Sequence, residues 1–227
     1  MRSPTNFIAL LREYNQQLGG VTINDYELSL MVWNLFLLLV PWVCFLLIRS
    51  IWQSQGKPRF YKFYLLVLGA LWLLFLPNSA YLITEVRHLV DFCPPAEFDV
   101  CVSQAWIVLF FFSYSLVVWL FFVYLVASMG ELLERRWPPL LVFLYEAIII
   151  PLSAWGVLIG LFNRFNTWEM ITHPASVFKA LGLYLSSWEY FINLLFFVLF
   201  YYFLYFLGKR LIINKKSNGL FKGWQGR

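Results

Sequence analysis

Residues 105–128 read AWIVLFFFSYSLVVWLFFVYLVAS, an apolar run without one charged side chain. A helix needs about 20 such residues to cross a bilayer core of about 30 Å. The run is apolar on every face rather than along one stripe, which excludes a surface helix of a soluble bundle. Four more stretches of the same kind lie at 28–48, 63–83, 140–161 and 190–207. Composition agrees. Of 227 residues, 61% are hydrophobic and 13% charged, against about 25% charged in an ordinary soluble domain. A water-soluble fold of this size could not hide so much apolar surface, so lipid is the solvent for much of the chain. Helix is the open-ended way to satisfy a backbone in lipid. The fold class predicted is all-α: a polytopic transmembrane helical bundle of five spans, with short interfacial amphipathic helices. The 21% of aromatic residues suits spans that end in belts of Trp and Tyr.

The segments around the spans divide the chain into an extracytoplasmic interfacial segment at 1–27, the bundle at 28–207 and a basic cytoplasmic tail at 208–227. Residues 1–27 lack the sustained apolar core and small-residue cleavage site of a signal peptide. There Phe7, Leu10, Leu11, Tyr14 and Leu18 recur at helical spacing before Gly19 and Gly20, as in a helix lying on the membrane. Residues 174–188 repeat the pattern, with Val177, Leu181, Leu185 and Trp188 in one stripe; a sixth, shorter span is the competing reading. Pro41, Pro77 and Pro151 fall within spans, where each removes a backbone donor, and Pro77-Asn78 is expected to bend or end the second helix. Cys44 reads as a small core residue. Cys93 and Cys101 share a polar loop, either as a disulfide or as two thiols.

Charge sets the orientation. The loops at 49–62 and 129–139 and the tail fall on one side and carry 12 of the 17 basic residues. The other side holds Arg2, Arg12, Arg87, Arg164 and Lys179. The positive-inside rule puts the tail in the cytoplasm and the N-terminus outside. The chain is expected to cross its membrane several times. The basic residues orient the protein, and nothing points to nucleic acid. Membrane lipids and other membrane subunits are the partners expected. No Rossmann, P-loop, zinc-ribbon or Ser-His-Asp signature is present, and no internal repeat.

Chemistry concentrates on the outer side. Glu85 and His88 share one helical face, and Glu169 and His173 share another if 167–173 is helical. Two carboxylate-histidine pairs could hold Zn²⁺ or a di-metal centre, and a divalent metal could activate water for hydrolysis. The competing reading makes them solvated interfacial residues. Arg87 and Arg164 could hold a phosphate or carboxylate head group, or Arg164 could pair with Glu85 or Glu169. Glu146 is the one charged residue well inside a span, a functional candidate by its depth, which could relay a proton or pair with a polar group such as Asn34 or Asn193.

Residues 71–89, LWLLFLPNSAYLITEVRHL, resemble the LPNAPY-hydrophobic-TD-x-x-HL signature of the domain-of-unknown-function 1361 family of bacterial membrane proteins. Residues 160–174, GLFNRFNTWEMITHP, resemble its second signature, close to GRF-x-R-x-NSWD, and Trp33-Asn34-Leu35 followed by Pro41 resembles its first span. The matching positions are Pro77, Asn78, Tyr81, Thr84, Glu85, His88, Arg164, Phe165, Asn166, Trp168 and Glu169. Glu85 and Glu169 stand where the family usually shows Asp, and Asn163 and Thr167 replace its Gly and Ser. The resemblance implies a bacterial or cyanobacterial protein of the cell inner membrane, or of another membrane of such a cell, and it implies where a site lies and not its chemistry.

Three functions compete. One is a metal-assisted hydrolase or transferase acting on lipid or lipid-linked head groups of the outer leaflet, with Glu85, His88, Glu169 and His173 as ligands or acid–base groups and Arg164 as an anion clamp. The second is a small transporter or ion-coupled carrier built around Glu146. The third is a non-catalytic membrane subunit or assembly factor whose motifs clasp the second and fourth spans. All use the same topology. Cysteines placed at His88 and His173 should react with an impermeant thiol reagent from the same outer face; labelling from opposite faces would end the idea of a shared site.

Overall fold

The computed structural model describes residues 22–23, 26–56, 59–88 and 105–217, with side chains described between 32 and 212 except that of His88. The expected helix within 1–27, the loop with Asp91, Cys93 and Cys101, and the tail beyond 217 lie outside the described residues. The element order is β1 (Thr22–Ile23), β2 (Tyr26–Glu27), α1 (Leu28–Gln53), α2 (Tyr61–Tyr81), a 3-10 segment (Leu82–His88), α3 (Ala105–Glu134), α4 (Pro139–Asn163), α5 (Glu169–Thr172), α6 (Pro174–Ser186) and α7 (Trp188–Ser217). β1 and β2 pair antiparallel over two residues each, directly before α1.

Five helices are long and apolar enough to cross a membrane among the described residues: Val32–Gln53, Tyr61–Arg87, Ala105–Glu134, Pro139–Asn163 and Trp188–Ile212. The protein is a multi-pass, all-α membrane protein. Each predicted span is present, and most run longer than expected. α3 continues to Glu134, and α7 runs to Ser217, so the first half of the predicted tail is a helical extension of the last span. α6 is a separate helix of 13 residues. At about 1.5 Å per residue it reaches roughly 20 Å, too short to cross. Its buried residues are Val177, Ala180 and Tyr184, while Leu185 and Trp188 of the predicted stripe face outward. Small Ala180 and the polar tip of Tyr184 suit contact with the bundle; the large apolar side chains turn away from it.

α1 packs on α2, α2 on α4, the 3-10 segment on α3, and α7 on α3, α4 and α6. The core they share includes Leu76, Phe122, Val123, Val126, Ile150, Tyr201 and Tyr205, all fully buried. Leu66, Leu109, Val117 and Phe196 are among the large apolar side chains left outside, which suits a lipid surround.

The prolines bend this scheme without breaking it. Pro41, Pro77 and Pro151 all lie inside helices. α2 continues to Tyr81 beyond Pro77 and then tightens into the 3-10 segment. A proline deprives the carbonyl four residues earlier of its donor. For Pro151 that carbonyl is Ala147's, and the Tyr202 hydroxyl of α7 donates to it at 2.8 Å. The repair therefore also joins α4 to α7. Tyr202→Phe should cost about 1–3 kcal/mol of unfolding free energy, the penalty for stranding a polar group. In a Pro151→Ala background, which restores the missing N–H, the same change should cost less than half as much; equal losses in both backgrounds would refute the repair.

Candidate functional site

The two motifs meet where α2 crosses α4. On α4, Gly156 and Gly160 stand one turn apart. A Cβ at Gly156 would lie 2.7 Å from Pro77 Cβ and 2.8 Å from Pro77 Cγ, and one at Gly160 would lie 3.4 Å from the Tyr81 ring. Pro77 and Tyr81 are themselves one turn apart on α2. A small-xxx-small stripe thus receives the first motif, the usual device for bringing helix backbones close in lipid.

α4 ends just beyond this crossing, at Asn163. Arg164 takes the left-handed conformation, φ 58° and ψ 32°, and is the one non-glycine residue with positive φ among the described residues. Its N–H and that of Phe165 both reach the Ile159 carbonyl, the latter at 3.3 Å. Such a conformation costs a side-chain-bearing residue about 1–2 kcal/mol. The reversal turns the chain into a reciprocal cap. Glu169 Oε2 accepts the Asn166 backbone N–H at 2.7 Å and the Asn166 side-chain amide at 3.4 Å, while the Asn166 carbonyl accepts the Glu169 N–H at 2.9 Å. This is the logic of a capping box, with each residue satisfying a backbone group of the other, and it opens the short helix α5.

Between these bonds the second motif grips the first. Thr167 Oγ1 donates to Asn78 Oδ1 at 2.9 Å. Trp168 meets Trp33 of α1 edge-on, centroids 6.5 Å apart, which brings the first span's Trp-Asn-Leu into the same cluster. Thr84 returns its hydroxyl to the Tyr81 carbonyl at 2.7 Å, and Arg87 Nη2 donates to Tyr81 Oη at 3.3 Å. Glu85 and Glu169 are both buried, at 3% and 6% exposure, whereas Arg164 is exposed. The Asn78 amide nitrogen is buried with no hydrogen-bond partner among the described residues.

α6 closes the same end. Tyr184 Oη donates to Asn163 Oδ1 at 3.1 Å and approaches the Leu158 carbonyl at 3.4 Å. Burial, and then Tyr190, raise the Tyr184 hydroxyl above the usual phenol range, so it remains a donor at neutral pH.

The candidate residues are thus placed differently from one another. Pro77, Asn78, Tyr81, Asn166 and Trp168 come together with Glu85, Arg164 and Glu169 at one end of the bundle. His173, expected to share a face with Glu169, is exposed, and its Nδ1 lies 2.9 Å from Thr172 Oγ1, while the Glu169 carboxylate turns back to Asn166. The His88 side chain lies outside the described residues. Among the described residues no group of three or more His, Cys, Asp or Glu side chains could hold a metal ion. Glu146 has neither Asn34 nor Asn193 as its bonded partner. Its Oε1 accepts from Lys209 Nζ at 2.5 Å and from Tyr205 Oη at 2.6 Å, and Asn193 instead donates to the Glu189 carbonyl. Lys209 was expected in the tail; the extension of α7 carries it back to α4.

A protein-family model described as "Protein of unknown function (DUF1361)" matches residues 33–207. The chain belongs to this family. No curated protein and no solved structure matches it. The match spans all five membrane helices up to Leu207 and contains both polar motifs, Trp33 and the glycine pair.

The glycine pair is the contact that sequence reasoning missed. Its signal was present as Gly156-Val157-Leu158-Ile159-Gly160, and so was that of Tyr205 and Lys209, four residues apart and hence on one face. Gly156→Ala should lower the unfolding midpoint of the detergent-purified protein by several degrees, an overpacking cost of about 1–3 kcal/mol. Gly182→Ala, with nothing within 4 Å of the added carbon, should not lower it. Equal falls would refute the close approach.

Proposed function

We propose that the chain is a non-catalytic subunit or assembly factor of a bacterial inner membrane. Its N-terminus lies outside and its basic end in the cytoplasm, and its two motifs clasp the spans into a fixed platform for other membrane subunits. The observation that carries this reading is the Thr167–Asn78 hydrogen bond, which ties the turn after α4 directly to α2. The use of Glu169 as a cap for Asn166 supports it, since that carboxylate holds backbone rather than standing open to a substrate. The distribution of basic residues supports the orientation.

A second reading, the outer-leaflet metal-assisted enzyme, draws on Arg164. Its left-handed conformation is costly and its side chain is exposed, and strain of this kind collects at functional sites. The carrier reading is weaker, because Glu146 is already matched by Lys209 and Tyr205.

Asn78→Ala and Thr167→Val should each lower the unfolding midpoint, and the double variant should fall no further than the more damaging single change. A coupling of about 0.5–3 kcal/mol is usual for residues in contact. Metal analysis of the same purified protein separates the two readings. The clasp expects no stoichiometric divalent ion. One equivalent of Zn²⁺, lost on His88→Ala or His173→Ala, would overturn it in favour of the enzyme.

A further inference from the structure

At the opposite end of the bundle, the turns after α1 and α3 form an open depression of about 320 Å³, lined by Trp52, Gln53, Ser54, Arg135 and Arg136. We propose that this depression holds a phosphate group, that of an anionic phospholipid. Two of its five lining residues are arginines and none is a carboxylate; Glu131 and Glu134, on the last turn of α3, do not line it. A guanidinium is the side chain best matched to a phosphate, because its planar fork presents paired donors.

One of the two arginines is held in place. The Arg136 guanidinium lies 4.8 Å from the centre of the Trp52 ring, and its Nη2 donates to the Trp52 carbonyl at 3.1 Å. The ring and the carbonyl fix the guanidinium, and its other N–H groups have no hydrogen-bond partner among the described residues. Arg136 therefore loses less freedom on binding than a free surface arginine would. Ser54 Oγ donates its proton to the Gly56 carbonyl at 3.0 Å, so the arginines are the principal donors. The depression sits at the ends of two membrane helices, the depth at which lipid phosphates lie. A basic pocket between spans on the cytoplasmic side is the kind that takes anionic head groups. The assignment to the cytoplasmic leaflet rests on the proposed orientation; the site does not.

The test is thermal unfolding of the full chain in a neutral detergent, titrated with phosphatidylglycerol, phosphatidylcholine or inorganic phosphate. Phosphatidylglycerol should raise the midpoint, and phosphatidylcholine should not. The double variant Arg135→Gln, Arg136→Gln should need at least tenfold more phosphatidylglycerol for the same shift. Gln53→Glu, which puts a carboxylate into the depression and leaves the Arg136–Trp52 contact alone, should weaken binding in the same direction and guards against misfolding of the first variant. Lys215→Gln, Lys216→Gln removes the same amount of charge elsewhere and should change the requirement less than twofold. An equal loss in this control would reduce the effect to general attraction by a basic end and overturn the site. Retention of affinity within twofold by both depression variants would overturn it as well. A shift produced by inorganic phosphate, with none from phosphatidylglycerol, would overturn the lipid as its source.

Discussion

A carbonyl oxygen inside a bilayer has no water to turn to, and this constraint runs through the whole bundle. Three prolines inside spans and a change from α to 3-10 geometry all disturb the regular ladder of hydrogen bonds. At Pro151 a neighbour's hydroxyl meets the freed carbonyl, and the same kind of bond recurs between helices elsewhere: an aromatic side chain with a polar tip donates to a carbonyl on a neighbour. Tyr202 reaches Ala147, Tyr201 reaches Ala80, Trp119 reaches Leu204 and Tyr145 reaches Val126. Each ring fills core volume while its O–H or N–H meets an acceptor, which is how buried Tyr and Trp avoid the penalty of a stranded donor. Part of the aromatic content thus belongs to the interior of the bundle and not to its interfacial belts.

Helices in lipid gain little from burying apolar surface against one another, because the lipid is apolar too. Adhesion depends on close approach and on polar contacts, and the first motif uses both. Pro77 and Tyr81 settle on Gly156 and Gly160, and α7 comes equally near α3 at Gly208, where an added Cβ would lie 2.7 Å from Val123 Cγ2. The second motif then folds over the crossing. The left-handed turn at Arg164 sends the chain back across the end of α2, and the Asn166–Glu169 cap and Thr167–Asn78 bond keep it there. A proline, a glycine pair and a strained arginine, far apart in the chain, serve a single junction.

The two ends of the bundle differ in charge chemistry. At the motif end two carboxylates are buried and one arginine is exposed. At the other end Arg135 and Arg136 are exposed, and a partly buried pair joins Glu146 to Lys209, whose side chains are 13% and 29% exposed. Taking two ions out of water is costly, and their attraction offsets this only with good geometry and further hydrogen bonds. The Tyr205 hydroxyl supplies one such bond. The pair links α4 to α7 and gives the intramembrane carboxylate a structural partner.

The number of spans, their approximate limits and the identity of the motif residues were all legible in the sequence, because apolar length and charge are properties of composition along the chain. The expectation that the second and fourth spans are joined was legible too, through the polar stretches that end them. Only the tertiary structure decided which residues touch. It put Thr167 on Asn78, turned His173 outward while Glu169 turned inward, and gave Glu146 to Lys209. The physical reason lies in the spans themselves. A helix that is apolar all round has no preferred face, so its sequence does not say how far it is rotated toward each neighbour. Rotation is set by the few places where glycine lets backbones approach and where a polar tip finds a carbonyl, and those pairings exist only once the helices have met.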